Sequence, residues 1–227
     1  MIPSLPYSVS ALFILTTFLC LFFLYRASGH SGAVLLICLA WLALQAAIGL
    51  SGYYTVTDTL PPRAVLMPLP ALLLIVILFL TRKGRSFIDR LDPRMLTWLH
   101  IVRVPVEICL LFLFIRGHIP QLMTFEGRNF DIIAGITAPL IAYFGFSKKR
   151  LSSKLMLAWN FICLALLLNI VVHGILSVPS PFQQFAFDQP NVGILYFPFV
   201  WLPSFVVPVV LLAHLAVMRQ LIAKAHF

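Results

Sequence analysis

The sequence predicts an all-α membrane protein, a polytopic bundle of seven transmembrane helices that forms one domain over residues 1–227. Three observations predict this class. The chain is 61% hydrophobic and 10% charged, with a mean hydropathy of +1.02, a composition that soluble domains do not have. Its apolar residues form runs of about 20, the length that a helix needs to cross a bilayer. Its basic residues lie in the short segments between these runs, so the net charge of +9 indicates a membrane rather than a nucleic acid as partner.

The predicted spans follow one another along the whole chain. The first begins without the basic segment of a signal peptide, so we expect it to remain uncleaved. The third follows Pro61 and Pro62, and the fourth begins with Asp92 as its N-cap and Pro93 as its first helical residue. The seven spans are predicted at residues 8–25, 33–53, 64–81, 93–115, 130–146, 155–176 and 192–222.

The positions of the basic residues predict the orientation. With the N-terminus outside, twelve of the 16 basic residues fall on the inner side, and Arg63, Arg116 and Arg128 fall on the outer side. The twelve are Arg26, Arg82, Lys83, Arg85, Arg90, Arg94, Lys148, Lys149, Arg150, Lys154, Arg219 and Lys224. The C-terminus is then cytoplasmic, and we expect a multi-pass protein of a bacterial inner membrane or its equivalent. The basic segment 82–94 is predicted to lie along the membrane surface.

Known catalytic and cofactor motifs are missing from the sequence. There is no GxSxG, no HExxH and no glycine-rich phosphate loop, and no lysine lies in the last span to bind retinal. The four cysteines, all within apolar runs and without a CxxC pair, are expected to be small buried side chains. The motifs therefore leave open whether the protein is an enzyme.

The fourth span carries three ionisable residues on one helical face. His100, Arg103 and Glu107 are spaced by three and four, and Pro105 between them is expected to disturb the helix. A charge at the bilayer centre costs at least ~2.5 kcal/mol, so each needs a partner. Three hypotheses follow: an Arg103–Glu107 ion pair that holds the bundle together; Glu107 as a proton carrier, a metal ligand or a cation site; or charges that are merely tolerated at the bundle surface.

Two further polar groups fall in the predicted outer half of the membrane. Asn169 and His173 lie one turn apart on the sixth span, where they either bond to neighbouring helices or line a cavity open to the outside. Asp131 and Arg128 lie at the outer start of the fifth span, where Asp131 either caps the helix or closes the mouth of a site with Arg128.

The last loop and the last span have an unusual composition. The loop SVPSPFQQFAFDQPN has three phenylalanines and one charge, Asp188, and is predicted to form a lid, with interfacial anchoring as the alternative. The span after it contains Pro198, Pro203 and Pro208, so a regular helix is not expected. Broken helices in membranes line cavities or lie buried in protein. His214, near the inner end of this span, is predicted to be interfacial.

Together these features predict an outward-facing polar pocket that binds or transports a small molecule. The predicted pocket residues are Arg103, Glu107, Arg128, Asp131, Asn169, His173 and Asp188. Two alternatives remain open. One is an intramembrane enzyme for a lipid-like substrate, possibly with a divalent metal on Glu107, His173, Asp131 and Asp188. The other is a structural or assembly subunit whose polar groups only pair with one another. No other cofactor is predicted.

Overall fold

Every regular element of the computed structural model is helical in the part of the chain that it describes, which is Ile2 and residues 5–225, with side chains to residue 223. The predicted all-α class is confirmed. The α-helices are α1 (Tyr7–Ala27), α2 (Gly32–Leu50), α3 (Leu69–Leu80), α4 (Arg82–Arg90), α5 (Pro93–Leu99), α6 (Arg103–Ile115), α7 (Asp131–Ile141), α8 (Ser153–Leu176) and α9 (Val207–Ala225).

Five helical stretches are long and apolar enough to cross a membrane. They correspond to the first, second, fourth, sixth and last predicted spans, and they indicate a membrane protein. They are Tyr7–Ala27, Gly32–Leu50, Pro93–Ile115, Ser153–Leu176 and Leu202–Ala223. The orientation and the bacterial inner membrane stay predictions.

The third and fifth predicted spans are shorter in the structure. The 12 residues of α3 are about 18 Å long, less than the ~30 Å of a hydrocarbon core. The residues before it form a 3₁₀ turn at Arg63–Leu66, since Pro68 and Pro70 lack an N–H and are tolerated only at the start of an α-helix. The fifth is α7 continued by a π-helical segment, Ala142–Ser147. The number of seven spans stays a prediction.

The last helical stretch lies at the centre of the bundle, and α2 lies at its edge. In an apolar 18-residue segment of Leu202–Ala223, 72% of the residues are buried, whereas only 17% are buried in the corresponding segment of α2. Two tryptophans connect the centre to the edge, because Trp201 Nε1 donates to the carbonyl of Leu42 and Trp41 Nε1 donates to that of Ser204, both at 2.9 Å. Polar groups on α9 are therefore surrounded by protein, whereas most of α2 is left for lipid.

The prolines interrupt the helices where the sequence predicts it. Between α5 and α6 the chain forms a 3₁₀ turn at His100–Val102, because Pro105 has no N–H to bond to the carbonyl of Ile101. Before α9 there is a π-helical turn at Leu202–Val206, and before that only a 3₁₀ turn at Gly193–Leu195. The prediction of an irregular last span is confirmed.

The basic segment 82–94 contains α4, which packs against the end of α9. Ile88 of α4 is buried, and Gln220 of α9 donates to the carbonyls of Ile88 and Leu91 at 2.8 and 2.9 Å. We call the end of the bundle that carries α4 the α4 end. The basic side chains of this segment are left at its surface.

Candidate functional site

An ion pair joins the first residue of α6 to the first residue of α7. Arg103 Nε lies 3.1 Å from Asp131 Oδ2, and both side chains are buried. The helices approach closely because α7 has Gly135 at the contact, where a Cβ would lie 2.8 Å from Val104 Cγ2. The predicted Arg103–Glu107 ion pair is wrong, because Arg103 pairs instead with Asp131 of the neighbouring helix.

Glu107 lies one turn beyond Arg103 on α6 and is held by Asn129. Asn129 Nδ2 donates a short hydrogen bond to Glu107 Oε1 and a second one to the carbonyl of Met123 at 3.1 Å. Asn129 Oδ1 accepts from the backbone N–H of Asp131 at 3.1 Å. Asn129 therefore fixes Glu107 to the start of α7. We call Arg103, Glu107, Asn129 and Asp131 the charged cluster.

The charged cluster has unused hydrogen-bonding capacity. Arg103, Glu107 and Asp131 are 3%, 2% and 6% exposed, and Arg103 Nη1, Glu107 Oε2 and Asp131 Oδ1 have no hydrogen-bond partner among the described residues. Arg103 Nη2 donates a long bond, 3.4 Å, to the carbonyl of Cys163. Two carboxylates face one guanidinium, so full ionisation leaves one negative charge in excess. A buried unpaired charge is costly, and a proton or a small cation among the carboxylates would balance it.

A second buried polar group lies one turn from Arg103, toward the α4 end. The ring of His100 stacks on that of His214 of α9, with centroids 3.9 Å apart and planes at 23°, and neither residue is exposed. His214 Nδ1 lies 3.0 Å from Asn160 Oδ1 of α8. Both ring nitrogens of His100 and Nε2 of His214 have no hydrogen-bond partner in the described part of the chain. We call these three residues the histidine cluster.

The predicted interfacial position of His214 is wrong. His214 is fully buried, and the centroid of its ring lies 5.9 Å from that of the Trp159 ring. The physical reason is the central position of α9, whose faces are covered by neighbouring helices almost to its end. A histidine near the end of a peripheral helix would have reached the membrane surface.

Asn169 and His173 bond to backbone carbonyls. Asn169 Nδ2 donates to the carbonyl of Arg128 at 2.9 Å, and His173 Nδ1 lies 2.8 Å from the carbonyl of Asn169. The ring of His173 stacks on Phe185 with centroids 5.4 Å apart. Only the Asn169 bond joins two segments of the chain, because the His173 bond stays within α8. Asn169 therefore lies beside the loop before α7, and His173 lies beside the last loop. Whether this stripe lines a cavity stays a prediction.

The last loop is folded onto the ends of α6 and α8. Gln189 Nε2 donates to the carbonyls of Phe114 and Ile119 at 3.0 and 2.6 Å, and Asn191 Nδ2 donates to that of Gly174 at 3.1 Å. Asp188 is exposed in this loop, and Arg128 is exposed in the loop before α7. The function of the loop as a lid stays a prediction.

The four predicted metal ligands do not form a common group. In the part of the chain that the structure describes, no three residues among His, Cys, Asp and Glu are placed to hold a metal ion. Glu107 and Asp131 belong to the charged cluster, His173 contacts Phe185, and Asp188 is exposed. The divalent metal stays a prediction, and this geometry provides no ligand set for it.

Residues 60–222 match a protein family described as "Domain of unknown function (DUF8737)". The chain belongs to this family. No curated protein and no solved structure matches the chain. The segment matched to DUF8737 includes both clusters, from His100 to His214, whereas α1 and α2 precede it.

Sequence reasoning found part of this DUF8737 site and missed the rest. It named Arg103, Glu107 and Asp131, but not Asn129, although asparagine side chains commonly bond to the backbone N–H two residues further on in turns, as Asn129 does with Asp131. It also did not pair His100 with His214. The signal for that pair was weak but present, because a polar residue within an apolar span needs a partner inside the protein.

Proposed function

We propose that the protein binds or transports a small solute across a membrane, and that the charged cluster carries a proton or a small monovalent cation in that process. The excess of one carboxylate over the guanidinium carries this proposal. Glu107 Oε2 and Asp131 Oδ1 are both buried and unpartnered, so they can accept a proton or coordinate a cation. Ionisable side chains inside membrane spans commonly mark such pathways.

The arrangement of the two clusters supports a route for protons. Glu107, Arg103 and His100 share one helical face, and the seven helical steps from His100 to Glu107 cover about 10 Å along the axis. Asn129 connects Glu107 to the loop of the exposed residue Arg128, and His214 stacks on His100 at the other end of this line. Chains of carboxylates and histidines form the proton relays of membrane pumps and transporters.

The described conformation is closed at the charged cluster, because its ionisable residues are at most 6% exposed. Transport therefore requires neighbouring helices to separate. The 3₁₀ turn His100–Val102 joins His100 of the histidine cluster to Arg103 of the charged cluster, and the π-helical turn Leu202–Val206 precedes the helix that carries His214. Irregular turns within helices often mark functional hinges, so these two turns are where we expect the opening movement.

The Arg103–Asp131 ion pair favours a second candidate function. In a structural or assembly subunit, the pair would only hold α6 against α7, and the excess carboxylate would stay permanently protonated. The two candidates differ in whether the protonation of Glu107 changes with conditions. The intramembrane enzyme stays a prediction without a specific geometric observation in its favour.

Infrared difference spectroscopy of the protein in lipid, recorded between acidic and alkaline pH, tests the proposal. We expect a carboxylic-acid carbonyl band that titrates in the wild type and is lost in Glu107→Gln. The matched control is Glu126→Gln, because Glu126 is an exposed glutamate of the loop before α7. A Glu107→Gln protein that is folded and has an unchanged titrating band overturns the proposal.

A flux measurement separates the two candidates. In proteoliposomes under a membrane potential, we expect proton or sodium flux for the wild type and for Glu126→Gln, and a loss of that flux in Glu107→Gln. Binding without transport predicts the titrating band without any flux. The structural candidate predicts no titrating band that depends on Glu107 and no flux, and only a lower thermal stability of Glu107→Gln.

A further inference from the structure

A cavity with a basic lining opens at the α4 end of the bundle. It has a volume of about 350 Å³ and lies between the turn that joins α1 to α2 and the connection from α4 to α5. Its ionisable lining residues are Arg26, His30, Arg90, Asp92 and Arg94. The backbone N–H of Asp92 donates to the carbonyl of Ala27 at 2.9 Å, which holds the two walls together. The cavity is separate from the charged cluster and does not depend on the function proposed for that cluster.

The three arginines of this cavity are left without an ionic partner. Among the described residues the ion pairs are Arg103–Asp131 and Arg219–Asp89, and neither involves this cavity. The acid in the lining, Asp92, uses its side chain to accept from the backbone N–H of Arg94 at 2.8 Å and so caps α5. The lining has three positive charges and one negative charge even with His30 neutral. Like charges repel, so their convergence on one cavity indicates an anion as the missing partner.

The chemistry of the lining favours a phosphate group as the bound anion. The planar guanidinium of arginine donates two parallel hydrogen bonds that match the oxygens of a phosphate. The position of the cavity favours a lipid as the source of the phosphate. Arg26 lies in the last turn of α1, a helix long and apolar enough to cross the membrane. Basic pockets at the membrane border of such helices bind the headgroups of anionic lipids.

We propose that this cavity binds a phosphate group through Arg26, Arg90 and Arg94, and that the phosphate belongs to an anionic phospholipid of the leaflet at the α4 end. A free phosphate compound has the same chemistry and is the alternative source. The basic surface at Lys148, Lys149 and Lys154 provides a comparison. These lysines come after the π-helical segment that packs against α5. They are exposed, but they do not line the cavity.

Native mass spectrometry of the detergent-purified protein tests the proposal with phosphatidylglycerol and phosphatidylcholine as probes. We expect the wild type to prefer the anionic lipid, and the triple variant Arg26→Gln/Arg90→Gln/Arg94→Gln to bind it roughly tenfold more weakly. The control Lys148→Gln/Lys149→Gln/Lys154→Gln removes the same charge and should change binding less than about twofold. The three single arginine variants replace the triple variant if it does not fold, and each should then weaken binding.

Inorganic phosphate distinguishes the two sources. Bound lipid that phosphate does not displace supports the phospholipid. A phosphate-dependent rise in thermal stability of the wild type, absent in the arginine variant and without a lipid preference, supports a free phosphate compound. The proposal is overturned if the arginine and lysine variants lose lipid equally, or if the wild type responds to neither probe.

Discussion

Arg103 and Asp131 connect α6 to α7 through a buried ion pair, with 3.1 Å between Arg103 Nε and Asp131 Oδ2. Removing one member of a buried pair leaves the other charge without compensation, at a cost of about 3–5 kcal/mol. We therefore expect Arg103→Leu to lower the free energy of unfolding by roughly this amount. The double variant Arg103→Leu/Asp131→Leu should recover a large part of it, because paired apolar replacements are often tolerated.

Thermal unfolding in detergent measures this difference, with Arg116→Leu as the control, since Arg116 is exposed just beyond the end of α6. An Arg103→Leu protein as stable as the wild type would show that the pair does not hold the two helices. A double variant less stable than either single variant would contradict the charge argument.

Gly135 permits the close approach of α7 to α6. A Cβ at this position would lie 2.8 Å from Val104 Cγ2 and 3.0 Å from the Val104 backbone nitrogen, so Gly135→Ala must push the helices apart. Overpacking of this kind costs about 1–3 kcal/mol, which exceeds the ~1 kcal/mol that alanine gains over glycine in a helix. We expect a lower unfolding temperature for Gly135→Ala. In the control Gly32→Ala the new methyl group meets open space, and its unfolding temperature should stay the same or rise.

The histidine cluster predicts opposite effects for its two imidazoles. His100 has no hydrogen-bond partner among the described residues, so His100→Phe removes two unsatisfied nitrogens and should leave the stability equal or higher. His214→Phe breaks the contact with Asn160 Oδ1 and leaves that oxygen buried, at a cost of about 1–3 kcal/mol. Thermal unfolding of the two variants side by side checks this, and equal effects would contradict the assigned His214–Asn160 bond.

Asp89 on α4 and Arg219 on α9 predict a dependence on pH. Arg219 donates two hydrogen bonds to Asp89, at 2.8 and 2.9 Å, and these bonds lower the pKa of Asp89 below its ordinary value. A lowered pKa in the folded state stabilises the fold above the unfolded pKa of about 3.9, and this contribution is lost as the pH falls through the folded pKa. Because the pair is partly exposed, it contributes less than about 1 kcal/mol at neutral pH.

We expect Asp89→Asn to lower the unfolding temperature at pH 7, and the difference from the wild type to disappear in strong acid. High salt should reduce it as well, because screening weakens exposed pairs. Asp58→Asn is the control, since Asp58 is an exposed aspartate of the loop between α2 and α3. A difference that persists unchanged below the folded pKa would show that the charge of Asp89 is not its cause.

The helices of this protein could be read from the sequence to a large extent. Five of the seven predicted spans correspond to helices of membrane-crossing length, because an apolar run in lipid must satisfy all its backbone hydrogen bonds within a helix. The interruptions near Pro105 and in the last span were also predictable, because proline lacks the N–H wherever it stands. The third span was predicted too long, since the 3₁₀ turn before α3 has the same apolar composition as the helix.

The sequence by itself determined which residues are helical and which polar residues share a helical face, because both follow from neighbours three or four positions apart. Only the tertiary structure decided that Arg103 pairs with Asp131 rather than Glu107, that His100 stacks on His214, and that Arg26 meets Arg90 at one cavity. These choices depend on which helix faces meet. That depends in turn on close approaches such as the one at Gly135, between segments far apart in the chain.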